Sequence, residues 1–161
     1  MTAIYTIGYE GAAMADLIAT LKLQGVEQLL DVREIAQSRR PGFSKTALSA
    51  SLSSAGIQYS HYRQLGDPKA GREAAREGKI AEFQAIFSAH LSMPATIAAL
   101  NDAATVAASA PSVLLCYERS PLNCHRGLVA ERLAELCSLS VRHLGVVEHA
   151  ARRYCFGSEA A

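Results

Sequence analysis

Short β-prone apolar runs alternate with segments of helical periodicity along nearly the whole chain, and this alternation most constrains what it can fold into. Residues 3–7 form a β-prone run closed by Gly8, and residues 12–23 follow with apolar side chains at helical spacing until Gly25. Residues 26–32 read as a second buried strand. Ser44 is placed to cap a helix reaching Ser54, Gly56 stops it, and residues 57–62 read as a third strand. Two helices, 73–91 and 94–108, lead to a fourth strand at 113–117, a helix at 126–137 and a fifth strand at 141–144. Strands alternating with helices predict an α/β fold: one three-layer domain over residues 1–156, with a mostly parallel sheet flanked by helices and a loose tail at 157–161. The topology is Rossmann-like, but no Gly-x-Gly-x-x-Gly occurs, so it lacks the dinucleotide fingerprint.

In open parallel sheets the site lies beyond the carboxyl ends of the strands. The unusual polar residues gather at those ends: Tyr9 and Glu10, Asp31 and Arg33, His61 and Arg63, and the stretch from Glu118 to Arg126. Cys124, His125 and Arg126 are predicted in the first turn of a helix, whose partial positive charge lowers a thiol pKa and attracts anions. Glu118, Cys124, His61 and Asp31 are therefore the catalytic candidates, and Arg33, Arg126, His125, Arg39 and Arg40 the anion-binding ones. Arg33 and Arg126 are expected to share one anion, with Tyr59 and Tyr62 adding flat rings to the same rim. Each has a plainer reading. Asp31 and Arg33 also make sense as a structural pair, Cys116 as a small core residue, and Lys69, Arg72, Arg76 and Lys79 as a solvated basic face.

Charge narrows the choice of partner. Lys and Arg total 16 against 15 Asp and Glu in 161 residues, so no global field draws nucleic acid or membrane, and contact with either must be local. A phosphate-bearing small molecule or a nucleic acid is the expected partner, with no membrane contact. No run of about 18 apolar residues occurs, and the start lacks a basic flank before an apolar stretch, which predicts a cytoplasmic protein. Cysteines 116, 124, 137 and 155 then read as thiols rather than a disulfide framework.

Known signatures exclude several reactions. A phosphatase loop needs an arginine six residues after its cysteine, but Ala130 follows Cys124 and Leu122 follows Cys116 at that distance. No Gly-x-Ser-x-Gly elbow and no P-loop is present. No cofactor is called for. Three readings stay open: an enzyme acting on a nucleotide-like or nucleic-acid substrate through a phosphate-binding rim, a non-catalytic nucleotide or nucleic-acid binding module, and a thiolate enzyme or small zinc site. The zinc version draws on Cys116, Cys124, His125 and His61 without the close CxxC pairing of strong zinc motifs.

Four motifs in order resemble the family catalogued as domain of unknown function 488. They are Thr6-Ile7-Gly8-Tyr9; Asp31-Val32-Arg33 with Ser38-Arg39-Arg40-Pro41-Gly42-Phe43; Tyr59-Ser60-His61 leading to Leu65-Gly66; and Cys116-Tyr117-Glu118 with Cys124-His125-Arg126. The resemblance covers residues 4–145 and implies a single α/β domain without implying a reaction. The chain departs from the family's pattern at Tyr9-Glu10, where histidine and serine are common, and at Ile35-Ala36, where a proline is.

Overall fold

A computed structural model describes residues 3–154, so Cys155 and the expected tail at 157–161 lie outside the described residues. Five strands form one sheet: β1 (Ala3–Gly8), β2 (Gln28–Asp31), β3 (Gln58–His61), β4 (Ser112–Cys116) and β5 (Ser140–Leu144). Their order is β3-β2-β4-β1-β5 and every pairing is parallel. The three-layer α/β expectation holds, and the first four strands are neighbours in the sheet.

Side-chain alternation along the strands sorts two cores. Leu29, Val113 and Leu115 face α1 (Met14–Leu23) and α2 (Lys45–Ser54). Leu30, Leu114 and Cys116 face the opposite layer, built from α3 (Lys69–Arg76), α4 (Ile80–Leu91), α5 (Pro94–Ser109) and α6 (Arg126–Cys137). A short helix, α7 (Ala150–Arg153), packs on α1. The three inner strands β2, β4 and β1 thus have both faces covered, as a parallel sheet requires, while the edge strands β3 and β5 stay partly exposed. Among the described residues no single helix is long and apolar enough to cross a membrane.

One expected helix divides. The span 73–91 is interrupted at Gly78, whose φ of +75° closes α3 before α4 begins at Ile80. Helix α3 also starts earlier than the expected residue 73, directly after Pro68, which brings residues 69–72 into the helix.

The strand order sets the place of the site. Chain connections leave β1 and β2 toward the β3 edge, whereas the connection from β4 runs past β1 to β5. Beyond central β4, neighbouring connections therefore diverge and leave a crevice. Register brings His61, Asp31, Leu115, Cys116 and Gly8 to one carboxyl rim.

Candidate functional site

Two buried charge systems shape this rim before any ligand enters. Asp31 leaves β2 fully buried, and its carboxylate takes Arg33 Nε at 2.9 Å and Nη2 at 2.7 Å, as well as the Arg33 backbone N–H at 3.1 Å. Tyr59 donates its hydroxyl to the same carboxylate at 2.5 Å. Arg33 Nη1 donates to the Tyr9 hydroxyl at 3.1 Å and to the Phe43 carbonyl at 2.7 Å. Burial works against the Arg33 cation, but the hydrogen bonds and charge of Asp31 hold it protonated, above the usual arginine range. The guanidinium stands at the cleft wall with its donors already engaged. Asp31 and Arg33 set the loop over residues 32–43; they are not a free base and a free anion clamp.

Arg126 is the second buried cation. It is fully covered and directs Nη1 to the Glu118 carbonyl and Nη2 to the Arg119 carbonyl at 3.2 Å. Its Nε has no partner among the described residues. Both guanidiniums fold back onto protein acceptors, so of the nitrogens expected to share an anion only Arg126 Nε lacks a partner among the described residues. His61 is diverted in the same way. A carbonyl can only accept, so the 2.7 Å contact between His61 Nε2 and the Arg33 carbonyl makes that nitrogen the donor, and His61 does not line the cleft. Tyr59 and Tyr62 bond Asp31 and Asp102 instead of offering ring faces.

The segment after β4 carries the reactive groups. Cys116 ends the strand with its Sγ 3.4 Å from Glu118 Oε2. A 3-10 turn at Pro121–Asn123 follows, Cys124 is extended, His125 is the N-cap residue and α6 begins at Arg126. Cys124 therefore precedes the helix that was expected to contain it, and its Sγ accepts the Arg126 backbone N–H at 3.5 Å. His125 Nε2 lies 2.6 Å from the Val32 carbonyl and must donate to it, which turns Nδ1 toward the thiols, 3.8 Å from Cys124 Sγ and 3.9 Å from Cys116 Sγ. Phe87 closes the back of the imidazole edge-on, with ring centroids 5.3 Å apart.

Proton affinities follow from this packing. Burial alone raises the Cys124 thiol, yet the hydrogen bond from Cys116 and the charge of His125 bring it well below the ordinary value; Arg126 adds to this. The same hydrogen bond and burial push Cys116 up. Burial disfavours His125 as a cation, but the Cys124 thiolate, the Val32 carbonyl and Asp67 raise it to about 9. Glu118 is lifted to about 7 by burial and by the neighbouring thiolate. The two neighbouring thiols thus differ in proton affinity, Cys124 being the readier to ionise.

These groups form one wall of a cleft of about 1060 Å³. Across it stand Arg39, Arg40, Lys69, Arg72 and Arg76, which exceed the lining carboxylates Glu34, Asp67 and Glu118. Arg40 bonds the Ala12 carbonyl and Arg72 pairs with Glu34 at 3.2 Å. Arg39 and Arg76 have no partner among the described residues. Tyr117 stands 47 % exposed at the mouth and packs edge-on against Tyr9, itself stacked on Phe43. Of the residues expected at the site, Glu118, Cys124, His125, Arg39, Arg40 and Arg33 line this cleft, whereas His61, Asp31 and Arg126 support it from behind.

Sequence reading gives no role to two contributors, Tyr117, which figures only within a motif, and Asp67. Asp67 is buried with Oδ1 unpartnered, and burial raises its carboxyl to about 6 against the pull of His125 and Arg72. The folded state then holds a proton that the unfolded chain has already released. Stability should therefore fall as pH rises from about 4 to about 6, the interval between the ordinary carboxyl value and the raised one. Asp67→Asn is expected to reduce that slope in denaturant titrations at several pH values, leaving the part that Glu118, raised to about 7, contributes over the upper end of the interval. An unchanged slope would place the titration elsewhere.

Comparison with known proteins gives one match: residues 13–133 fit the model of the family described as Domain of unknown function DUF488. The fitted span opens beyond the first loop, where Tyr9-Glu10 departs from the family's pattern, and includes the other three motifs up to Arg126. No curated protein and no solved structure matches the chain.

Proposed function

The chain belongs to the family described as Domain of unknown function DUF488, and on that premise we propose that it is an enzyme acting on a nucleotide-like or other phosphate-bearing substrate. One observation carries the reading. A cleft lined by more cations than carboxylates ends on a wall that holds Cys124, His125 and Glu118 within reach of one another. Phosphate oxygens suit the guanidinium side, where Arg39 and Arg76 keep their donors free. The exposed face of Tyr117 at the mouth suits a base. Glu118, raised to about 7, is matched to moving a proton at neutral pH. Free thiols at positions 116, 124 and 137 accord with a cytoplasmic setting.

Calorimetric titration with a nucleoside monophosphate tests the binding half. Arg39→Ala and Arg76→Ala are each expected to weaken binding about tenfold, near the lower end of the ~1.5–3 kcal/mol for a hydrogen bond to a charged group. Unaltered affinity in both variants would remove the phosphate reading. Incubation with a panel of nucleoside phosphates, with products followed by mass spectrometry, tests the catalytic half. Turnover should fall by about 100-fold or more in Glu118→Gln while binding persists. Binding without turnover across the panel would favour a binding module.

A further inference from the structure

We propose that Cys116, Cys124 and His125 form a zinc site whose fourth coordination position opens to the cleft. The three donor atoms are buried and lie within 4.8 Å of one another. Each thiol sulfur is 3.8–3.9 Å from His125 Nδ1. A tetrahedral ion with Zn–S of about 2.3 Å and Zn–N of about 2.0–2.1 Å spaces its donors by about 3.5–3.8 Å, so the two sulfur–nitrogen distances need to contract by only a few tenths of an ångström, and the sulfur–sulfur distance, within 4.8 Å, by at most about 1 Å.

A second observation points to a ligand independently of the spacing. His125 presents Nδ1, not Nε2, because Nε2 donates to the Val32 carbonyl at 2.6 Å. That backbone partner fixes the tautomer and ring orientation in the manner of the outer-shell bonds that orient metal-bound histidines. Among the described residues only the two sulfurs approach Nδ1. The donor set then selects the metal. Two thiolates and an imidazole favour zinc over magnesium or calcium, which take oxygen ligands.

The wide Cys-x7-Cys spacing is closed by the fold. Cys116 ends a central strand, Cys124 follows the 3-10 turn, and Val32, directly after β2, supplies the carbonyl that orients His125 between them. His61, the fourth member on sequence grounds, is instead bonded to the Arg33 carbonyl. Three protein ligands leave one open position, the pattern of catalytic and not of structural zinc. Glu118 lines the cleft with Oε2 3.4 Å from Cys116 Sγ, so the open position faces a carboxylate able to accept a proton from whatever binds there. The role of that position rests on reading the cleft as a substrate site; the ligand assignment does not.

The test uses the untagged full chain, desalted after expression in zinc-supplemented medium and assayed by plasma mass spectrometry. About one zinc per chain is expected, falling below about one tenth in Cys116→Ser and in Cys124→Ser, while Glu118→Gln keeps its metal. Cobalt added to chelator-treated protein should give tetrahedral visible bands and a thiolate charge-transfer band in the wild type. These bands report the ligands even if the serine variants fold poorly. Metal-free wild type that gives no thiolate–cobalt band would overturn the proposal, and so would rapid alkylation of Cys124 by iodoacetamide in the presence of zinc. In that event Cys124 is a free thiolate, and nucleoside monophosphate titration still decides the substrate reading on its own.

Discussion

Asp31→Ala is expected to destabilise the fold by about 3–5 kcal/mol, the cost of leaving one member of a buried ion pair uncompensated. Removal of this carboxylate strands the Arg33 guanidinium and takes the acceptor from the Tyr59 hydroxyl. For a chain of this length the loss corresponds to a fall in Tm of roughly 6–20 °C. Replacing both partners with apolar residues of similar volume, as in the double variant Asp31→Leu with Arg33→Met, should recover much of it, because the pair also carries a desolvation cost. Guanidinium titration with an unchanged m value checks both. A stable Asp31→Ala protein that binds nucleotide yet has lost turnover would return Asp31 to a catalytic role.

Gly8→Ala is expected to disrupt the site from the opposite strand. A Cβ there would lie 1.8 Å from the Glu118 carbonyl oxygen and 2.5 Å from its carbon, both backbone atoms that cannot rotate away. The segment after β4 must shift, and with it the carbonyl that accepts Arg126 Nη1. Overpacking alone costs about 1–3 kcal/mol, and a buried guanidinium that loses an acceptor adds about as much again. Gly145→Ala is the control, since nothing lies within 4 Å of its added carbon. The prediction is a lowered denaturation midpoint together with reduced nucleotide affinity for Gly8→Ala and neither for Gly145→Ala. Equal behaviour of the two variants would mean that Glu118 is not held where the geometry puts it.

Both results bear on how a site of this kind is written into a chain. Asp31, Arg33 and Gly8 were visible as residues at strand ends, and the parallel sheet placed them on one rim as expected. What they do there was not visible. A guanidinium reads the same in sequence whether it waits for a phosphate or bonds Asp31, Tyr9 and Phe43, and only the fold over residues 32–43 makes that choice. His61 and Arg126 bond backbone carbonyls, partners that stay invisible in sequence until the loops close.

The sequence by itself determined the alternation of strands and helices, and hence the parallel sheet, because apolar periodicity and glycine or proline breaks act within a few residues of where they are read. It also determined the neighbourhood of the chemistry, since Cys124, His125 and Glu118 are close in the chain. The tertiary structure decided the rest. Cys116 meets Cys124 across a turn, Val32 just beyond β2 orients His125, and Asp67, in the loop before α3, and Arg76, at the end of α3, reach the cleft from more than forty residues before Cys124 in the chain. These contacts depend on strand order and on which buried polar group each donor finds, and that long-range pairing is settled only when the whole core packs.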